Sequence, residues 1–137
     1  MPTASVWMIR GSLIYLLAAM LVGALLLVHK AVYLHPSVWQ LLPLHIEMAL
    51  FGWIIQLTMG TAYWIFPRFL EGLPRGNPTY IWAAAGLFNL GIVLNGVSYL
   101  GLLPEDTFLF GRIFQVVAVM LFVGQHWKRV TTYRKHR

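Results

Sequence analysis

The sequence predicts an all-α, polytopic membrane protein: one bundle of four transmembrane helices with both termini in the cytoplasm. Three observations predict it. Hydrophobic residues make up 59% of the 137-residue chain and charged residues 10%, against about 25% charged in ordinary soluble domains. Four apolar stretches are each long enough to span a bilayer, which takes about 20 residues. Lys and Arg gather on alternate sides of these stretches, as the positive-inside rule requires.

The first stretch runs uncharged from Gly11 to Val28, between Arg10 and His29-Lys30. It is too long for the apolar core of a signal peptide and lacks a clear small-residue cleavage site, so it reads as a retained helix over about residues 8–29. Ala19 and Gly23 form a small-xxx-small pair on which another helix can pack closely. Pro36 argues against helix through the connector that follows. The second helix is expected over about residues 39–66, with Pro43 tolerated in its opening turns and Pro67-Arg68 as the stop. Gly72, Pro74, Gly76 and Asn77 are turn residues, and Pro78 opens a third helix over about residues 78–101. The short turn LPEDT makes helices three and four antiparallel neighbours. Thr107 is the expected N-cap of helix four, about residues 108–127, where Arg112 would snorkel to the interface. Residues 128–137 form a basic tail. The whole chain is a single domain without internal repeats.

Eight Lys and Arg (Arg10, Arg68, Arg75, Lys128, Arg129, Arg134, Lys135 and Arg137) fall on one side of this topology, and two, Lys30 and Arg112, on the other. The richer side is cytoplasmic. The net charge of +6 and the basic tail suit anionic lipid headgroups. No recognition motif accompanies the charge, so nucleic acid is not an expected partner. The chain contains no cysteine. Disulfides, thiolate metal sites, iron–sulfur clusters and covalently attached haem are therefore excluded, and any haem would be held by histidine or methionine.

The histidines carry the chemistry. His29, His35 and His45 lie towards the outer face and could converge there, whereas His126 lies at the inner face, about 30 Å away along a 20-residue helix. An intramembrane histidine either hydrogen-bonds between helices or ligates a metal through its neutral imidazole. Both roles are open for His45, with His29 as its first partner and His35, His126 and Glu47 as further candidates. On helix two, His45, Ala49, Gly52, Gln56, Gly60 and Tyr63 recur every three or four residues and form a small, polar stripe. Such a stripe should face the bundle or a partner, not lipid. Glu47 stands about 200° round the helix from His45, so it faces another neighbour or snorkels. Gln56, Asn89, Asn95 and Gln115 read as interhelical hydrogen-bonding residues.

The stretch HIEMALFGWIIQLTMGTAYWIFPRF resembles the second transmembrane helix of the catalytic subunit of haem–copper oxidases and nitric oxide reductases. The matching positions are His45, Met48, Phe51, Gly52, Gly60 and Pro67. In that family the histidine near the outer end of this helix ligates the low-spin haem. The resemblance covers helices one and two, about half the chain, and implies haem b held by His45. The family's copper ligands and further haem ligands come from later helices, and only His126 and His136 follow Pro67 here. The resemblance thus implies at most one haem site and no haem–copper centre, so the chain is not expected to be an enzyme on its own.

These readings give three expectations. In the first, the chain is a haem b protein of a bacterial or archaeal type of cell membrane, moving electrons or sensing gas or redox state beside a respiratory chain. Its second axial ligand would be His29 or the His45 of a second copy, in a homo-oligomer. In the second, it is a cofactor-free accessory or assembly subunit whose stripe docks onto a larger membrane complex. In the third, His29, His35 and His45, with Glu47, hold copper, iron or zinc.

Overall fold

The computed structural model describes residues 1–69 and 72–131. All regular structure among them is helical, and four helices are long and apolar enough to cross a membrane. Of the basic tail, Arg134, Lys135, His136 and Arg137 lie outside the described residues.

Helix one spans Thr3–Ala31, starting earlier than expected from the apolar run alone. Ala4, Ser5, Met8 and Ser12 recur at helical spacing on a buried face, so packing extends the helix N-terminally past Arg10. Pro2, in an extended conformation, precedes it, and Val32, also extended, ends it.

The second span, Pro36–Ile65, changes its winding three times. A 3₁₀ turn occupies Pro36–Leu41, where the expected connector becomes helical. His35 caps it, its Nδ1 accepting from the N–H of Ser37 at 3.3 Å, and Pro36 supplies a fixed φ at the first turn. A short α-helical piece, Leu42–Ile46, leads into a π-helix over Glu47–Ile55. The α-helix Gln56–Ile65 completes the span. Phe66 leaves the helical region (ψ 145°), as a residue before proline must.

Helix three spans Pro78–Tyr99, opened by Asn77, whose Oδ1 accepts from the N–H of Thr79 at 2.9 Å. It stops short of residue 101 because Gly101 takes a positive φ of 70°. The N–H groups of Gly101 and Leu102 then bond back to Ser98 O and Val97 O, a Schellman closure. Helix four spans Asp106–Thr131, longer than expected at both ends. Thr107 is not the N-cap: it lies inside the first turn, its N–H donating to Pro104 O at 3.0 Å. At the other end, Lys128 and Arg129 belong to the helix and not to a tail, because Arg129 is turned inward and buried.

Helix one packs along helix two, and helix three along helix four, giving two hairpins side by side. Small residues set the spacing in each. A Cβ on Gly52 would lie 2.5 Å from Tyr15 Cγ, and one on Gly60 would lie 3.0 Å from Met8 Cβ. In the other hairpin, a Cβ on Gly91 would lie 2.6 Å from Gly111 O. The core between the hairpins comprises Ala4, Met8, Met59, Tyr63, Ile81, Ala84, Phe88, Ile92 and Ala118. Leu13, Leu17, Leu21, Val93, Val116 and Met120 are exposed on the outer surface, as lipid-facing residues would be.

Candidate functional site

Helix two presents its polar residues to different neighbours, and this separates two sites near the Pro36 end. His45 faces helix one. Its Nδ1 lies 2.8 Å from Ala19 O, and its ring lies over Gly23, where a Cβ would meet Cε1 at 2.8 Å. The Ala19–Gly23 pair is thus the seat of the imidazole. A carbonyl oxygen only accepts, so Nδ1 carries a proton, and in the neutral ring Nε2 is the nitrogen with the lone pair. The residue is half-buried.

His29 is held the opposite way. It is buried, with Nδ1 accepting from the N–H of Leu34 at 3.1 Å. A neutral ring so bonded carries its proton on Nε2, which is buried and has no partner. The ring sits 5.2 Å from that of Tyr33 and 5.5 Å from that of Trp39, organising the connector rather than presenting a lone pair. His35 is exposed and engaged with Ser37, with its Nδ1 2.6 Å from Ser37 Oγ. Among the described residues no three His, Asp or Glu side chains gather in a way that could hold a metal ion.

The second site is centred on Glu47. Its side chain is fully buried, and its Oε2 is paired with Arg112 Nη2 at 2.8 Å. Oε1 accepts from Gln115 Nε2 and, at 3.3 Å, from Asn95 Nδ2. Arg112 also donates from Nη1 to Gln115 Oε1 at 2.8 Å and from Nη2 to Tyr99 OH at 3.0 Å. Its guanidinium lies 4.6 Å from the centroid of Phe51 and 4.8 Å from that of Phe108. Arg112 therefore points into the bundle and does not simply snorkel. Glu47 lies at the first residue of the π-helix, where backbone bonds span one residue more than in an α-helix; such segments are frequent at functional sites.

The stripe on helix two is spent inside the chain. Gly52 and Gly60 admit helix one, Gln56 Nε2 donates to Met8 O at 3.2 Å, and Ala49 is half-buried. Tyr63 joins the core and meets His126 edge-on at 5.5 Å. His126 is buried near the far end of helix four, its Nδ1 2.6 Å from Phe122 O and its ring stacked on Phe122 at 4.2 Å. Beside it, Arg129 donates to Pro67 O (2.9 Å), Phe66 O (2.6 Å) and Tyr63 O (3.2 Å). It caps the C-terminal carbonyls of helix two, where a cation also opposes the helix dipole.

Sequence reasoning separated Glu47 from His45 but missed the Glu47–Arg112 pair. The signal was there: two opposite charges a few turns in from the same end of their helices. Charges at membrane depth pair with one another. Asn95 and Gln115 are interhelical, as expected, and both converge on Glu47. Asn89 instead donates to Ala85 O of its own helix, at 2.8 Å. The chain matches no known protein family, no curated protein and no solved structure.

Proposed function

We propose that this chain is a small multi-pass membrane protein that binds haem b through His45. It would move electrons, or sense redox state or a small gas, beside a respiratory chain, with both termini in the cytoplasm. One observation carries the reading. The His45 Nδ1–Ala19 O bond fixes the tautomer that leaves Nε2 free, which is the arrangement of a histidine ligand held by its other nitrogen. Nε2 makes no hydrogen bond among the described residues, and the residue is half-buried. The likeness of the surrounding stretch to an oxidase helix supports the same role. Haem would supply a one-electron change at iron. His45 would hold the iron through Nε2, with Ala19 O and the space over Gly23 orienting the ring.

Gly52, Gln56 and Gly60 of the stripe pack on helix one, and among the described residues no three His, Asp or Glu side chains gather in a way that could hold a metal ion.

The test is an absorption spectrum of protein expressed with excess haem. A Soret band that disappears in His45→Ala, with helical content unchanged, is the expected result. A wild type without the band, or a band that survives His45→Ala, would overturn the reading.

A further inference from the structure

We propose that the polar box around Arg112 recognises small planar cations of the guanidinium class, with Arg112 as a tethered occupant that such a cation displaces. The proposal is independent of the haem reading. The box is built on three helices. Its acceptors are the two oxygens of Glu47 on helix two, Tyr99 OH on helix three and Gln115 Oε1 on helix four. Phe51 and Phe108 set their rings against the guanidinium, whose carbon lies 4.6 and 4.8 Å from their centroids. Aromatic faces beside a carboxylate suit a flat, delocalised cation: the rings attract its charge and the oxygens take its N–H groups.

Arg112 fills this box imperfectly. Nη1 reaches Glu47 Oε1 only at 3.5 Å, and Nη2, 2.8 Å from Oε2, makes no hydrogen bond with it. Oε2 is thus a buried carboxylate oxygen without a hydrogen-bond donor, where arginine and carboxylate frequently form a two-bond fork. The tether accounts for the mismatch. Gly111, next to Arg112, is held against helix three, where a Cβ on Gly91 would lie 2.6 Å from Gly111 O. The arginine stem therefore starts from a fixed point, and Gln115 and Tyr99 take the donors on its two terminal nitrogens. A free guanidinium has no stem and can turn its fork to the carboxylate. The route in is the route out for Arg112, whose side chain is 30% exposed while that of Glu47 is buried. Glu105 and Asp106, exposed where helix four begins, draw cations to this end of the bundle.

The probe is methylguanidinium, with methylammonium as the non-planar control at matched ionic strength. Saturation-transfer NMR on the probe's methyl group reads binding to the full chain in nanodiscs. A tether acts as a high local concentration, so wild type should bind saturably but weakly, and Arg112→Ala about tenfold more tightly. Phe108→Leu leaves the ion pair in place and should weaken binding about fivefold. Glu47→Gln should abolish it. No saturable binding to wild type makes Arg112 a permanent partner of Glu47 and overturns the proposal. Binding that survives Glu47→Gln, that Phe108→Leu leaves unchanged or that methylammonium matches overturns it equally. These outcomes do not depend on Arg112→Ala, so they decide the matter whether or not that variant folds.

Discussion

Breaking the Glu47–Arg112 pair from its two sides should cost unequal amounts. Glu47 is fully buried on its side chain, whereas Arg112 is 30% exposed. Arg112→Ala removes the cation that, among the described residues, touches the carboxylate, leaving it to two side-chain amides. A buried charge so stranded costs about 3–5 kcal/mol. Glu47→Gln leaves Arg112 with Gln115 Oε1, Tyr99 OH and two aromatic faces, and with an open path outward. Its cost should be about 1.5–3 kcal/mol, that of one charge-assisted hydrogen bond. The double variant Glu47→Gln/Arg112→Ala no longer strands a charge, so it should be more stable than Arg112→Ala alone. The coupling should be on the order of 1–3 kcal/mol. Unfolding of the four proteins in mixed detergent, followed by circular dichroism, measures all of this. Equal losses for the two single variants, or strict additivity in the double, would refute the reasoning.

Other expectations follow from particular contacts. Arg129→Ala should destabilise by about 2–4 kcal/mol through the loss of three carbonyl partners. Arg129→Lys should recover only part of this, since an ammonium lacks the planar fork; the same unfolding assay tests both. Gly52→Ala should cost about 1–3 kcal/mol, because the new methyl meets the base of the Tyr15 side chain. Gly86→Ala, with nothing within 4 Å of its Cβ, should be neutral or stabilise by about 0.5–1 kcal/mol. Asn77→Ala should lose about 1 kcal/mol as the cap of helix three disappears, seen as earlier hydrogen exchange at Thr79.

The four spans were legible because bilayer length and apolar composition leave few other solutions, and prolines 36, 67 and 78 marked ends or openings that the backbone respects. What escaped was set by distant partners. Helix four runs through Arg129 because carbonyls of helix two, more than sixty residues earlier, receive its donors. Read locally, the same residue was the start of a charged tail. The π-helix escaped for another reason: a register shift of one residue leaves composition untouched, and an apolar stretch carries no mark of it. At the site, the separation of His45 from Glu47 followed from helical spacing alone. The direction of Nδ1 towards Ala19, and the fate of His29, depended on backbone carbonyls and amides that no side-chain pattern reveals.

The two arginines of helix four grip helix two near both of its ends, Arg112 at Glu47 and Arg129 at Phe66. The two helices run in the same direction, so the grips compare their lengths like marks on two rulers. Helix two has two more residue steps between its marks than helix four has, an excess of about 3 Å if both were α-helical. The π-helical stretch winds more residues into each turn and so takes up slack of this kind. The irregular winding is thereby tied to the span between the grips: a change that straightened residues 47–55 into α-helix would slide one arginine past its partner. The far ends of the bundle are thus mechanically aware of one another through the middle of helix two.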